Sequence, residues 1–378
     1  MKRLTGLAGF AAAALIAGAA HAEEPWQFAT MMSLTGNAAG YSEELKLGFE
    51  MAQEKINASG GIAGRPVQLK LMDTQSNPAQ VATLIRQACA ESLVVLGPAL
   101  SNEARVAFPV ANGMGCPALA AAAGAEGLTA DNRPWTFAML TPSNILTPAA
   151  VQEMVKVVNP ARAVVLVEKS DPAANSYGVQ AAKALADAGA AVDEISVSSN
   201  DVDFGPAVTR TASGNPDLIV ISVLDRAAAG LLKELHKSQI GTTRMLTQSA
   251  YNATVGALPP EVLNNVYRFT QSDPGASTDP ATQEFVAAFR ERAGRMPSIV
   301  STLTYDLLML TKDTVEKAGI AGDPAKRAEE RQAFIDTLAQ TRDWQGLGGI
   351  FAMSEQGFMT KVPMLLVYDN GTWKPVNE

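Results

Sequence analysis

The sequence predicts an α/β protein built from two doubly wound lobes in tandem, and three observations predict it. Short apolar runs alternate with amphipathic segments from Trp26 onward, the signature of βαβ units around a parallel sheet. The alternation occurs as two series, separated by a break around Pro142 and Pro148. At 378 residues the chain is also longer than a single hydrophobic core supports.

In chain order, the first segment stands outside this pattern. Lys2 and Arg3 precede an apolar, Ala-rich run from Leu7 to Ala20, and Ala20 and Ala22 place small residues where a signal peptidase reads. This is the layout of a cleaved secretory leader over residues 1–22. The run is shorter than the roughly 20 apolar residues that span a bilayer. No cysteine marks a lipoprotein cleavage point. The expected location is therefore the periplasm.

The first series places strands at Gln27–Met32, Val67–Met72, Leu93–Leu96, Ala118–Ala121 and Thr136–Met139. The second places them at Ala163–Val167, Val192–Val197, Leu218–Val223, Met245–Gln248 and Val266–Thr270. Leu218–Val223 is apolar but for Ser222, as a strand covered on both faces is. Between the first two strands, Leu45, Phe49, Ala52 and Ile56 recur on one face of a helix predicted over Ser42–Ser59. Glu43 and Glu44 suit the positive end of its dipole, and Gly60-Gly61 ends it.

Polar, Pro- and Gly-rich breaks mark crossings between lobes near Thr141, over Gln271–Pro280 and over Arg342–Gly349. They divide the mature chain into a first lobe of residues 23–140 plus 272–341 and a second of 141–271 plus 342–378. Repeated crossings make a hinged cleft rather than two beads on a linker. Cys89 ends a helix before one strand and Cys116 precedes the next, so both lie at one edge of the sheet. In an exported protein a disulfide between them is expected; two buried, unpaired thiols are the alternative.

Composition narrows the function. The formal charge of −8 disfavours nucleic acid and anionic membrane as partners. Of the two histidines, His21 lies in the leader and His236 sits among Lys233, Glu234 and Lys237 on an amphipathic stretch. That leaves little material for a His-based metal site or a Ser-His-Asp triad, and there is no G-x-S-x-G elbow. Gly346-Leu347-Gly348-Gly349 lacks the spacing of a dinucleotide loop and reads as a turn. No enzyme chemistry, metal or cofactor is expected.

Leu34-Thr35-Gly36, Tyr41, Gly48, Glu54, Ile56-Asn57 and Gly60-Gly61-Ile62-Ala63-Gly64-Arg65 follow in one order. Asp73-Thr74-Gln75-Ser76-Asn77-Pro78, Gly97-Pro98-Ala99-Leu100-Ser101 and Thr304-Tyr305-Asp306 continue it. This set resembles the leucine/isoleucine/valine-binding proteins, periplasmic receptors of ABC importers, over nearly the whole mature chain. The resemblance implies a type I periplasmic binding protein: two Rossmann-like lobes joined by three hinge crossings, with the ligand between them.

In open parallel sheets ligands bind off the carboxyl ends of the strands, where helix N-termini offer free N–H groups. That makes Ser33–Tyr41, Ala99–Asn102, Ala122–Gly124, Glu168–Tyr177, Asp225 and Ser249–Tyr251 candidates. The resemblance implies that the Ser101 hydroxyl contacts the ligand's polar head, aided by the N–H groups of Asn102 and its successors. A plain helix cap is the alternative for Ser101. It implies Tyr41 and Tyr177 as cleft tyrosines, one from each lobe, with a solvated-loop aromatic the alternative for Tyr41. Ala122 would face the ligand through its backbone carbonyl and amide.

Two positions depart from the family. Gly124 stands where amino acid receptors usually carry Thr or Ser, and Ser249 where they carry the acid that binds the α-ammonium. Either Asp225 or Glu168 takes over that role, or the ligand has no ammonium. The second reading predicts a small carboxylate, aromatic or branched. The expected function is a monomeric solute-binding protein that closes over its ligand and docks on the membrane permease of an ABC importer. The alternative is a sensor feeding a membrane histidine kinase or chemoreceptor. A DNA-binding repressor with the same lobes would need a helix-turn-helix where the leader stands.

Overall fold

The computed structural model describes residues 24–36, 38–251 and 253–376; the expected leader over residues 1–22 lies outside them. Two α/β lobes follow. In the first, β1 (Trp26–Met32), β2 (Val67–Asp73), β3 (Val95–Leu96), β4 (Ala118–Ala120) and β5 (Thr136–Ala138) form a parallel sheet in the order β2-β1-β3-β4-β5. Helices α1 (Ala39–Ala58), α2 (Pro78–Glu91) and α3 (Ser101–Gly113) connect them.

The chain then crosses to the second lobe through α4 (Ser143–Val158). There it forms β6 (Arg162–Val167), α5 (Pro172–Asp187), β7 (Ala191–Ser196), α6 (Gly205–Ser213), β8 (Leu218–Ser222), α7 (Asp225–Lys237) and β9 (Thr243–Leu246). Two single turns, α8 (Ala253–Gly256) and α9 (Pro260–Leu263), lead into β10 (Val266–Thr270). The sheet order β7-β6-β8-β9-β10 is parallel, as the sequence pattern requires. β8 is buried along its whole length, which accounts for the apolar run Leu218–Ile221 within it.

Helices α10 (Pro280–Ala293), α11 (Ile299–Lys317) and α12 (Arg327–Ala339) return to the first lobe. There α11 and α12 add Leu303, Leu307, Phe334 and Leu338 to the core of Leu45, Phe49 and Ile56 from α1. The crossing of α1 over α11 requires a residue without a side chain. A Cβ on Gly48 would lie 2.1 Å from the Ser301 carbonyl and 2.2 Å from Thr304 Oγ1. The opposite face of the first sheet is covered by Val81 and Ile85 of α2 and Ala107 and Phe108 of α3.

Helix α1 begins at Ala39, earlier than its apolar face suggests, so Glu43 and Glu44 do not sit in its first turn. Glu44 serves packing instead. It is buried and pairs with Arg295 at 3.1 Å, and it accepts the N–H of Ser298.

A small sheet of β11 (Trp344–Gly346), β12 (Gly349–Met353) and β13 (Met359–Thr360) comes next, followed by β14 (Met364–Asp369) and β15 (Thr372–Pro375). The hairpin β14–β15 extends the second sheet antiparallel to β10. The β11–β13 ribbon does not belong with it: Phe351, Met353 and Met359 join the first-lobe core. The segment expected as second-lobe sequence from residue 342 is therefore divided, and the third crossing follows the ribbon instead of preceding it. The reason is Asp306 of α11, whose buried carboxylate accepts the N–H groups of Leu347 (2.8 Å) and Gly348 (3.2 Å) and fixes the β11–β12 turn against the first lobe.

The three crossings lie side by side and are stitched by two buried side chains. The Thr141 N–H donates to Gln271 Oε1 (2.8 Å), and Gln271 Nε2 donates to the Met139 carbonyl (2.9 Å). Thr141 Oγ1 donates to the Met359 carbonyl (2.9 Å) and accepts the Lys361 N–H (3.2 Å). At the far, amino-terminal edge of the first sheet, Cys89 and Cys116 form a disulfide with a Cα separation of 5.7 Å.

Candidate ligand-binding cleft

The carboxyl ends of the two sheets face one another at the hinge, and the first lobe builds its half around the start of α3. Leu100 is the N-cap residue and offers no side-chain cap, so Ser101 is the first residue of the helix rather than its cap. Its buried hydroxyl does something more specific. Ser101 Oγ accepts the N–H groups of Gly124 (3.1 Å) and Ala125 (3.2 Å), which clamps the loop after β4. With both lone pairs engaged, its O–H remains as a donor.

Asn102 turns inward on its own helix, Oδ1 accepting the Glu103 N–H at 2.8 Å. The Ala122 amide, expected to face a ligand, donates to the Ala99 carbonyl at 3.1 Å and so braces the loop. Behind this surface, the buried Glu103 accepts hydroxyl protons from Ser33 and Thr74, tying the ends of β1 and β2 to α3. Burial pushes its carboxyl above the ordinary range.

Tyr41 belongs to helix α1, not to a solvated loop, and is half-buried against the first-lobe core. Burial pushes its phenol well above the ordinary range, and Glu44, Tyr177, Asp225 and Asp171 add to the effect. Three of those four groups belong to the second lobe, so Tyr41 looks across the cleft. From the other side, Tyr177 on α5 is 1% exposed, with its ring edge-on to Phe269 at 6.1 Å between centroids. Its hydroxyl has no partner within the protein.

The remaining second-lobe candidates are engaged by their own loops. Asp225, at the start of α7, accepts the N–H groups of Thr254 and Val255, both at 2.9 Å, and so holds the turn after Ser249. Glu168 is buried and accepts the Ser199 N–H (3.1 Å), the Ser199 hydroxyl and the Ser170 hydroxyl (3.3 Å). Ser249 Oγ lies 3.1 Å from Thr247 Oγ1, which in turn meets Ser222 Oγ at 3.1 Å. The loop is backed by Tyr251, whose ring carries the Arg268 guanidinium at 3.9 Å; Arg268 also pairs with Asp273 beside the second crossing.

Asp171 falls within the strand-end stretch Glu168–Tyr177, whereas Glu126 had no sequence signal. Asp171 caps α5 through the Ala174 N–H (2.8 Å), and burial followed by Glu168 raises its carboxyl. Glu126 reaches from the first lobe to Gln180 of the second (3.0 Å), while its N–H donates to Ser176 Oγ (3.2 Å). Beside this seam a groove of about 630 Å³ runs between Arg105 and Asp131 on one lobe and Lys169 and Gln180 on the other.

Two parallel sheets hinged by three clasped crossings, with hydroxyl and amide groups meeting at their carboxyl ends, form the geometry of a solute receptor. The sequence profile described as periplasmic binding protein matches residues 25–369. The chain belongs to that family. This binding protein is 25% identical over 300 residues to a Leu/Ile/Val-binding protein of Rhizobium johnstonii, covering 77% of this chain and 78% of the relative. It superposes on a leucine binding protein of Thermotoga maritima with a TM-score of 0.82 at 21% identity, over 93% of this chain and 97% of the other. A solute binding protein of Rhodopseudomonas palustris, solved in complex with 3,4-dihydroxybenzoic acid, gives the same TM-score at 16% identity over 93% and 96% of the two chains. The fold is thus shared with a protein named for an amino acid and with one solved with an aromatic acid.

Proposed function

We propose that this binding protein captures a small organic carboxylate without an ammonium group, aromatic or branched, and delivers it in the periplasm to the permease of an ABC importer. One observation carries the ligand class: among the described residues, the carboxylates that the second lobe brings to the strand ends, Glu168, Asp171 and Asp225, are each engaged by their own loops. Position 249 is a serine, while Asp225, Glu168 and Asp171 each accept protons from neighbouring backbone or hydroxyl groups. An ammonium closed into such a cleft would lose its hydration without a matched counter-charge, which costs several kcal/mol.

The first lobe supports the same reading, since Ser101, whose lone pairs are taken by the Gly124 and Ala125 amides, keeps its O–H as a donor for a charged acceptor. The solved Rhodopseudomonas palustris neighbour holds a benzoic acid derivative, so an acid without an ammonium is among the ligands this fold accommodates. In this account Ser101 and the 122–125 loop receive the head group, Tyr41 and Tyr177 wall the cleft, and Ser249 completes the lid.

The lobes we assign are residues 24–140 with 272–361 and residues 141–271 with 362–376, the chain being exported by the leader over 1–22 and acting as a monomer. Ligand contacts to both lobes favour the closed form by their differential affinity, with the clasp at Thr141 and Gln271 as pivot. Mass spectrometry of the ligand retained on purification, combined with a thermal-shift screen of amino acids against aromatic and branched acids, tests the proposal. A retained or stabilising acid is expected; a retained amino acid overturns it.

A further inference from the structure

One close interlobe approach falls on a residue without a side chain. A Cβ built on Gly124 would lie 2.4 Å from Tyr177 Oη, a distance no real pair of such atoms adopts. Its next neighbours, Leu140 Cδ1 and Tyr177 Cζ, stand at 3.4 Å, an ordinary contact. The phenol oxygen alone therefore occupies the volume of a side chain at 124.

The phenol cannot readily swing aside. Its ring is 1% exposed and packed edge-on to Phe269. The loop it meets is equally fixed, by Ser101 Oγ on the Gly124 and Ala125 amides and by the Glu126 bonds to Ser176 and Gln180.

The hydroxyl that fills this space is buried and unpartnered. A buried O–H without an acceptor is costly, and native structures rarely leave one without reason. Burial raises the Tyr177 phenol, so it stays protonated and keeps an O–H to donate. Two O–H donors, Ser101 from one lobe and Tyr177 from the other, flank Gly124.

We infer that Gly124 and Tyr177 form a specificity latch: the lobes close fully only because residue 124 leaves room for the phenol, whose hydroxyl joins that of Ser101 in donating to the ligand's carboxylate. This rests on the carboxylate reading for its ligand, while the steric half stands on geometry alone. The latch selects an acceptor-rich head group, because a ligand offering only donors would leave both O–H protons without an acceptor.

Four variants separate the parts: Gly124→Ala, Tyr177→Phe, the double variant of these, and Gly124→Ser with Tyr177→Phe. Two readouts are taken on each, after thermal unfolding confirms folding. One is the interlobe distance distribution of the ligand-free protein, from a spin-label pair placed on the outer helices of the two lobes. The other is the calorimetric affinity for benzoate and 4-methylpentanoate.

Gly124→Ala is expected to move the distance distribution to longer values and to weaken both probes. Tyr177→Phe should keep the wild-type distances and lose about tenfold in affinity, the size of one hydrogen bond. The Ala/Phe double variant should recover the wild-type distances without the affinity, and the Ser/Phe variant should recover part of both. Wild-type distances in Gly124→Ala overturn the steric latch, and unchanged affinity in Tyr177→Phe overturns its donor role. Failure of both probes to bind the wild-type protein refutes the carboxylate reading and with it the donor role, while the distances still decide the latch.

Discussion

Replacing Ser101 by alanine removes two functions at once, and they are separable by measurement. The Oγ accepts the Gly124 and Ala125 amides at 3.1 and 3.2 Å in a setting where the serine is 3% exposed. Alanine leaves both amides without an acceptor, at a cost of roughly 1–3 kcal/mol for each that water fails to reach. A loss of about 2–4 kcal/mol in urea unfolding is therefore expected. The same change deletes the O–H offered to the ligand's head group, which adds about 1–3 kcal/mol to the binding free energy, or roughly 5- to 150-fold in Kd. Calorimetric titration with the ligand found by screening, run on the folded variant, gives the second number. Lower stability with unchanged Kd would reduce Ser101 to a clamp on the 124–125 loop. No change in either would refute the reasoning altogether.

Other expectations follow from single observations. Gln271→Leu removes both amide bonds that join the first two crossings, and should cost about 2–3 kcal/mol by denaturant titration while loosening the pivot. The Cys89→Ser/Cys116→Ser double variant opens a bridge spanning 27 residues, which the chain-entropy argument values at about 3–4 kcal/mol. Because the bridge lies at the edge away from the cleft, ligand Kd should not change, and a tenfold weakening would contradict that placement. Asp306 is pushed up to about 7 by burial, beyond what its two amide bonds and Lys361 restore. A carboxyl raised in the folded state contributes stability that is complete below the ordinary carboxylate range and lost as pH rises through about 7. Urea midpoints should accordingly fall between pH 4 and 7 on account of this group, and Asp306→Asn should flatten that slope.

Much of the fold was legible because its signals are local. Each of the ten expected strands is a short apolar run between turn residues, and the apolar run at Leu218–Ile221 is buried throughout, as its composition requires. The third crossing lies further along for a physical reason: the turn at Gly346–Gly349, expected as a turn, is a hairpin held to the first lobe by Asp306 from a distant helix. Long-range bonds of this kind leave no periodic trace. The cleft shows the same division. Strand ends located Ser101, Tyr41 and Tyr177, whereas the commitment of the Ala122 amide to Ala99 and of Asp225 to the 254–255 amides depends on loop geometry. The partnership of Gly124 with Tyr177 was equally hidden, since it needs two lobes in contact.

The central claim is that the cleft accepts a carboxylate and rejects the ammonium that would make it an amino acid. Leucine and 4-methylpentanoate differ by that one group, so titrating both by calorimetry against the full mature chain tests it most directly. The account predicts that the acid binds and that leucine binds at least tenfold more weakly, the ammonium meeting Ser249 and carboxylates already engaged by their own loops. Leucine binding as tightly as its deaminated counterpart, or more tightly, would contradict it.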